Sequence, residues 1–233
     1  LIYSRLPNSV ELNLGLLYLA NETRAPKGPL ADQPPWEYGV ASIDRTSGRV
    51  AQFWPIYYNN RSRRWQPGKL YPDRGYGRGM INAQGGHAPS RGRTLVRRWT
   101  APDDMLVSIE GNLGQNGANS DGVNGFVIFS GVGVIARGSA RGGQRAMNVP
   151  RLRVTAGSTV DFVIDCRGNA TGDNFTWNSI IRKLDDLQNP PAPTNDTWES
   201  NRHFRGPSGR RRLYAWEKYA QVLLETNELT FIN

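Results

Sequence analysis

Between Trp36 and Arg182 the apolar residues return at every second position rather than every third or fourth. Successive side chains of an extended chain point to opposite sides, so this period fixes one face inward and one outward. STVDFVIDC at 158–166 displays it well. Val160, Phe162 and Ile164 share one face, and Thr159, Asp161, Val163 and Asp165 the other. The same period predicts strands over EYGVASID and GRVAQFWPIYY, joined as a hairpin across RTSG. Further strands are predicted at 79–83, 94–100, 105–110, 123–130, 133–136, 152–155, 159–165 and 175–182, with Gly, Asn, Asp and Pro between them. Short strands at this spacing, with almost no helical periodicity, predict a mainly β fold. The expected form is an antiparallel β-sandwich, jelly-roll-like, over 36–185.

The flanks read differently. Asn8 and Glu11 stand at capping-box spacing, and Leu12, Leu16 and Leu19 follow at helical intervals, with Val10, Leu14 and Leu17 widening the face. A helix is therefore predicted over 1–25, before the Pro-rich PKGPLADQPPW. At the other end, Leu213, Trp216, Ala220 and Leu223 fall on one helical face. The expected organisation is one flanking helix at each terminus. Residues 1–25 and 213–233 would be parts of a split host domain, and 186–212 a linker. The chain opens at Leu1 without a starting Met or a leader, as a piece of something longer would.

The net charge is +9, and the cations are 25 Arg against 4 Lys. Arg suits planar, bidentate contact with carboxylate, phosphate or sulfate. The clusters at 61–64, 91–98, 137–153 and 202–212 point to an anionic partner, or to a solvated basic surface. A nucleic-acid partner is not expected, since charge is its only support and neither RNP-type aromatics nor a recognition helix is visible. No apolar run approaches the roughly 18 residues of a membrane helix. The single cysteine, Cys166, excludes an internal disulfide and reads as a buried thiol.

Catalytic signatures are weak. Gly131–Ala136 has the spacing G-x-G-x-x-A, but RGSARGGQR after it cannot open a helix, so it reads as a Gly-rich β-turn. Two histidines and no CxxC or HxxxH leave no nitrogen–sulfur metal site. Calcium, which takes oxygen ligands, is left open through Asp121, Asp165 or Asp173 and loop carbonyls. No G-x-S-x-G elbow is present, and Asp103-Asp104 sits in a turn, so no enzyme is expected. The seven tryptophans are more informative. Trp54 and Trp99 lie in strands and are assigned to the core. Trp65, in an Arg-rich loop, and Trp177, after the polar loop 167–174, are candidates for exposed rings.

PWEYGVASIDRTSGRVAQFWPI, RWQPG, YPD, GGHAPSRGRTLVRRWTAP, SDGVNG and STVDFVIDCRGNATGDNFTW occur in this order. That order resembles an inserted β-domain of large planctomycete-type surface or periplasmic proteins, which pair a cytochrome-c-like region with domains of unknown function. SRLPNSVELNLGLLYL and LYAWEKYAQVLLETNELTFIN are similar to the segments flanking that insert. The resemblance implies a jelly-roll carbohydrate-binding module in an exported, periplasmic or cell-surface protein. His87, Asp121, Arg167, Asp173 and Trp177 occupy its recurrent positions. No CxxCH is present, so haem would belong to a separate part of the parent protein.

The resulting expectation is non-catalytic binding of a polysaccharide, acidic or sulfated. Trp65 and Trp177 would stack on sugar rings, His87, Asp121 and Asp173 would bond hydroxyls, and Arg64, Arg91 and Arg167 would hold anionic groups. The alternative is a structural domain whose terminal helices dock the parent chain into a surface or cytochrome-containing assembly.

Overall fold

A computed structural model describes residues 8–24, 35–185 and 190–207. The chain divides into two compact units, Leu1–Lys27 with Arg210–Asn233, and Gly28–Gly209. In the first unit, helix α1 spans Ser9–Arg24, and its first turn closes with Leu12 N–H donating to the Asn8 carbonyl at 2.9 Å. Its apolar side chains Val10, Leu12, Leu14, Leu16 and Leu17 are exposed. The second flanking helix, predicted over 213–233, lies outside the described residues.

The second unit is built of antiparallel strands. In chain order they are β1 (Trp36–Ile43), β2 (Val50–Pro55), β3 (Tyr57–Asn59), β4 (Arg64–Gln66), β5 (Met80–Ile81), β6 (Gly85–His87), β7 (Leu95–Thr100) and β8 (Met105–Gln115). They continue as β9 (Val123–Phe129), β10 (Gly133–Ala140), β11 (Gly143–Ala146), β12 (Val149–Val154), β13 (Thr159–Cys166), β14 (Asn174–Asp185) and β15 (Ala192–Glu199). One sheet runs β10-β9-β13-β7-β1-β2. The other runs β11-β8-β14-β6-β5-β4-β3, with β12 also paired to β8 and β15 to β14.

The two sheets share one core. Phe162 of β13 meets Trp177 of β14 edge-on with ring centroids 5.5 Å apart. Trp99 of β7 meets Trp198 of β15 at 5.4 Å, and Tyr38 of β1 stacks on Trp65 of β4 at 5.1 Å. Each pair takes one ring from each sheet, which is face-to-face packing of inward residues. The period-two reading is thus realised: Val160, Phe162 and Ile164 are buried in this core. Val163, on the opposite face, joins Val96 and Ile128 in a smaller cluster.

The predicted hairpin forms. Asp44 accepts from the backbone N–H of Thr46 (2.7 Å) and Ser47 (3.1 Å), and Gly48 takes φ 66°, the left-handed region that glycine enters without a side-chain clash. The Gly131–Ala136 run crosses from β9 to β10 through a turn closed by Val132 N–H to the Phe129 carbonyl, as expected.

Several expectations change. In place of a linker over 186–212, β15 pairs with β14 from Ile180 opposite Glu199 to Asp185 opposite Ala192. Its sequence, APTNDTWE, lacks an apolar alternation because only Trp198 reaches the main core. The strand predicted at 105–110 runs on to Gln115. Leu113 and Gln115 continue the inward face of Ile109, and the intervening glycines hide the period. Trp54 is 48% exposed instead of buried, because β2 is the edge strand of its sheet.

Candidate functional site

The structure separates the residues that the sequence singled out. Trp177 is 2% exposed, inside the core, and offers no face to a ligand. Trp65 is half-buried; Tyr38 covers one face of its ring, and its indole N–H donates to the Arg205 carbonyl at 3.0 Å. The aromatic stacking platform expected of this pair is therefore absent. The physical reason is the strand alternation, which turns Trp177 inward between Thr176 and Asn178. Arg64 lies 3.6 Å over the Tyr71 ring and donates to Gln66 at 2.9 Å. Arg91 is exposed in the turn that precedes β7.

His87, Asp121, Arg167 and Asp173 gather at the loops that join strands of the two sheets. His87 is buried, with Nδ1 at 2.8 Å from the Ala88 carbonyl, so Nδ1 carries the proton. Asp173 is fully buried and accepts from the Ser120 hydroxyl. Burial, with a smaller contribution from the Asp121 charge, pushes its carboxyl above the usual range. Asp121 accepts from the Asn169 backbone N–H (3.2 Å) and side-chain amide (3.4 Å), and the exposed Arg167 donates to the Asp121 backbone carbonyl at 3.3 Å. The loop at 167–174 closes on itself through Thr171 N–H to Asn169 (2.8 Å) and Asn174 N–H to Gly172 (2.9 Å). It is first a turn, fastened to the Ser120–Gly122 segment.

A concavity lies elsewhere. On the outer face of the sheet, a groove of about 580 Å³ runs over β11, β8 and β14, lined by Glu110, Asn112, Gln144, Asn148, Thr176 and Asn178 among others. Strand register accounts for it. Asn178 stands opposite Asn112, and Thr176 opposite Gly114, which itself pairs with Gln144. Gly114 keeps the floor low, since a Cβ there would come within 2.5 Å of the Thr176 hydroxyl. Gln84 and Asn201 also line a second hollow of about 850 Å³, with Tyr58, Arg63, Asn82 and Arg205 in its wall. The two concavities thus adjoin at Gln84 and Asn201.

The amides in this groove are oriented. Asn82 accepts from the backbone N–H of Gln84 (3.0 Å) and Gly85 (2.9 Å). Asn148 accepts from Gly111 N–H (3.1 Å), and Asn178 from Asn201 N–H (3.3 Å) and the Ser200 hydroxyl (3.3 Å). A backbone N–H only donates, so the atom facing it is the amide oxygen. All three side chains therefore hold their oxygens on the protein and keep their NH₂ donors off these contacts, Asn148 and Asn178 at the groove and Asn82 at the second hollow.

Beneath this surface lies Arg97. Alternation on β7 turns it inward between Leu95 and Trp99, and it is 4% exposed. Its guanidinium donates to the carbonyls of Trp177 (2.9 Å), Asn82 (2.5 Å) and Gly85 (3.1 Å) and to the Ser200 hydroxyl (2.9 Å). Burial brings its pKa down to about 10, well above neutrality, so the charge persists. None of these four acceptors is a carboxylate. The neighbouring Arg98 points the other way and forms a two-point pair with Asp161 at 2.7 and 3.0 Å. The Arg cluster at 91–98 is therefore not one surface patch.

Arg63, at the second hollow, holds φ 49°, in the left-handed region that non-glycine residues seldom occupy. The groove residues were partly legible. Thr176 and Asn178 alternate with Phe175, Trp177 and Ser179, a polar-out strand face. Gln84 and Asn201 had no such signal, because β6 and β15, both paired to β14, bring them together from distant positions. No protein-family model matches the chain, and no curated protein matches it.

Proposed function

We propose that the β unit is a non-catalytic carbohydrate-binding module of jelly-roll-like form, from an exported bacterial protein of the periplasm or cell surface. Its ligand is an acidic or sulfated polysaccharide, held in the groove on the outer face of the sheet. The observation that carries the reading is the orientation of Asn82, Asn148 and Asn178, whose oxygens are held by protein donors while the residues line two adjoining hollows. A surface rich in fixed donors fits a ligand rich in acceptor oxygens. Arg63 and Arg205 at the second hollow, with Arg97 held by four neutral acceptors, favour anionic groups at that end. Hydrogen bonds to hydroxyls and anionic oxygens thereby replace the aromatic stacking expected of Trp65 and Trp177.

Isothermal titration with a sulfated polysaccharide and an uncharged one tests this. Asn112→Ala combined with Gln144→Ala removes two groove-wall side chains. At about 1 kcal/mol per lost hydrogen bond, affinity falls roughly tenfold or more with the melting temperature unchanged. Binding of the anionic polymer weakens as salt rises from about 0.01 to 0.5 M, where the Debye length shrinks below the groove's own dimensions. Unchanged affinity in the double variant refutes the site, and salt-independent binding refutes the anionic ligand.

The second reading, docking into a larger assembly, draws on α1, whose Val10, Leu12, Leu14, Leu16 and Leu17 stand exposed. The two roles separate by copurification: a docking domain is recovered in fixed ratio to its partner, whereas a glycan binder is released by competing polysaccharide.

A further inference from the structure

The glycan reading makes no use of Asp121 and Asp173, which lie outside the groove lining. Asp173 is fully buried. One of its oxygens receives the Ser120 hydroxyl, and the other, Oδ2, is enclosed with no hydrogen-bond partner. Asp121 is in the same position: Oδ2 accepts from Asn169, while Oδ1 is enclosed and unpartnered. Ser120 ties the two residues together. Its hydroxyl accepts from Gly122 N–H at 2.9 Å while donating to Asp173, so the backbone carrying Asp121 wraps around the Asp173 carboxylate.

Two carboxylate oxygens removed from water without a donor are costly to hold. Arg167 does not relieve them, because it donates to the backbone carbonyl of Asp121 and not to its carboxylate. A single shared proton would leave one negative charge in place, whereas a divalent cation compensates both.

We infer that Asp121 and Asp173 hold a hard divalent cation, calcium, through their free carboxylate oxygens, with loop carbonyls and water completing its shell. Ca²⁺ takes 6–8 oxygen ligands in flexible geometry, at about 2.3–2.6 Å. Zinc does not fit. Among the described residues no three of His, Cys, Asp and Glu converge, so neither His87 nor Cys166 joins the pair as a nitrogen or sulfur ligand. Two carboxylates are a small ligand charge, which places the dissociation constant in the range of extracellular modules, about 10⁻⁴–10⁻³ M.

Thermal unfolding of the full chain, stripped with chelator and then titrated with CaCl₂ or MgCl₂, tests the site without any glycan. At about 10 mM Ca²⁺ the folding equilibrium constant should rise about 10–100-fold over the stripped protein, with a saturable dependence, and much less with Mg²⁺. Asp173→Asn should lose that response. Should that variant fail to fold, Asp121→Asn, on a partly exposed loop, carries the same expectation. A wild type indifferent to calcium overturns the site, as does a full calcium response in Asp121→Asn. A stripped protein that gains stability on acidification, with no response to calcium, assigns the pair a shared proton instead.

Discussion

Replacing Arg97 with Met lowers the unfolding free energy by about 3–5 kcal/mol, measured as a fall in urea midpoint at unchanged slope. Met matches the length of the aliphatic stem but cannot donate. The carbonyls of Trp177, Asn82 and Gly85 and the Ser200 hydroxyl then lose a donor inside the core. An unpartnered buried acceptor costs about 1–3 kcal/mol, and relaxation recovers only part of that for a group of four. Arg97→Lys keeps the charge but not the planar fork that reaches several acceptors at once, so it falls between Met and wild type. The substitution also reaches the groove. Ser200 orients Asn178, and Arg97 holds the backbone that carries the Asn82 amide, so folded Arg97→Met binds the anionic polysaccharide more weakly than its remaining surface charge alone implies.

Trp177→Ala has an effect of similar size, about 3–5 kcal/mol, with the opposite functional consequence. The indole is 2% exposed and packs edge-on against Phe162 across the two sheets. Its six-membered ring also comes within about 3.2 Å of the Cβ that Gly125 lacks, so a side chain at 125 would collide with it. Truncation opens a cavity at the centre of the sandwich. Because the ring does not line the groove, affinity per folded molecule is retained. Equilibrium unfolding gives the first quantity. Titration at a temperature where the variant is folded gives the second. A loss of affinity with little loss of stability would return Trp177 to the surface role that its place after a polar loop suggested.

The contrast between these residues shows how far the sequence could be read. Period two placed Val160, Phe162 and Ile164 inside, and the hairpin around Asp44–Gly48 followed from its turn residues. The same rule, carried one strand further, would have turned Trp177 inward, since it alternates with Thr176 and Asn178. Proximity to the 167–174 loop outweighed it. Glycine defeated the reading of β8 and β6, where Gly111, Gly114, Gly85 and Gly86 supply backbone without an apolar signal. Close approach requires this: a Cβ on Gly85 would lie 1.9 Å from the Phe175 carbonyl oxygen.

Charge was legible only as a total. Arg97 and Arg98 are adjacent in sequence, yet one is sealed in the core and the other bonded to Asp161 on the far side of the sheet. Composition reports neither direction. The groove itself depends on register between β8, β14 and β11, a property of pairing and not of any one strand. The residues His87, Asp121, Asp173 and Arg167 were legible in the sequence, but one oxygen of each of Asp121 and Asp173 is enclosed and unpartnered, so the role expected of them changed with the geometry.

The central claim is that the oriented amides of the outer face take the ligand. Side-chain NH₂ resonances of ¹⁵N-labelled protein, followed while a short sulfated oligosaccharide is added, test it most directly. Asn82, Asn148 and Asn178 should shift progressively with a common dissociation constant, while the Trp177 indole N–H stays in place. Shifts confined to residues of the opposite sheet, such as Trp54, with these three amides silent, would contradict it.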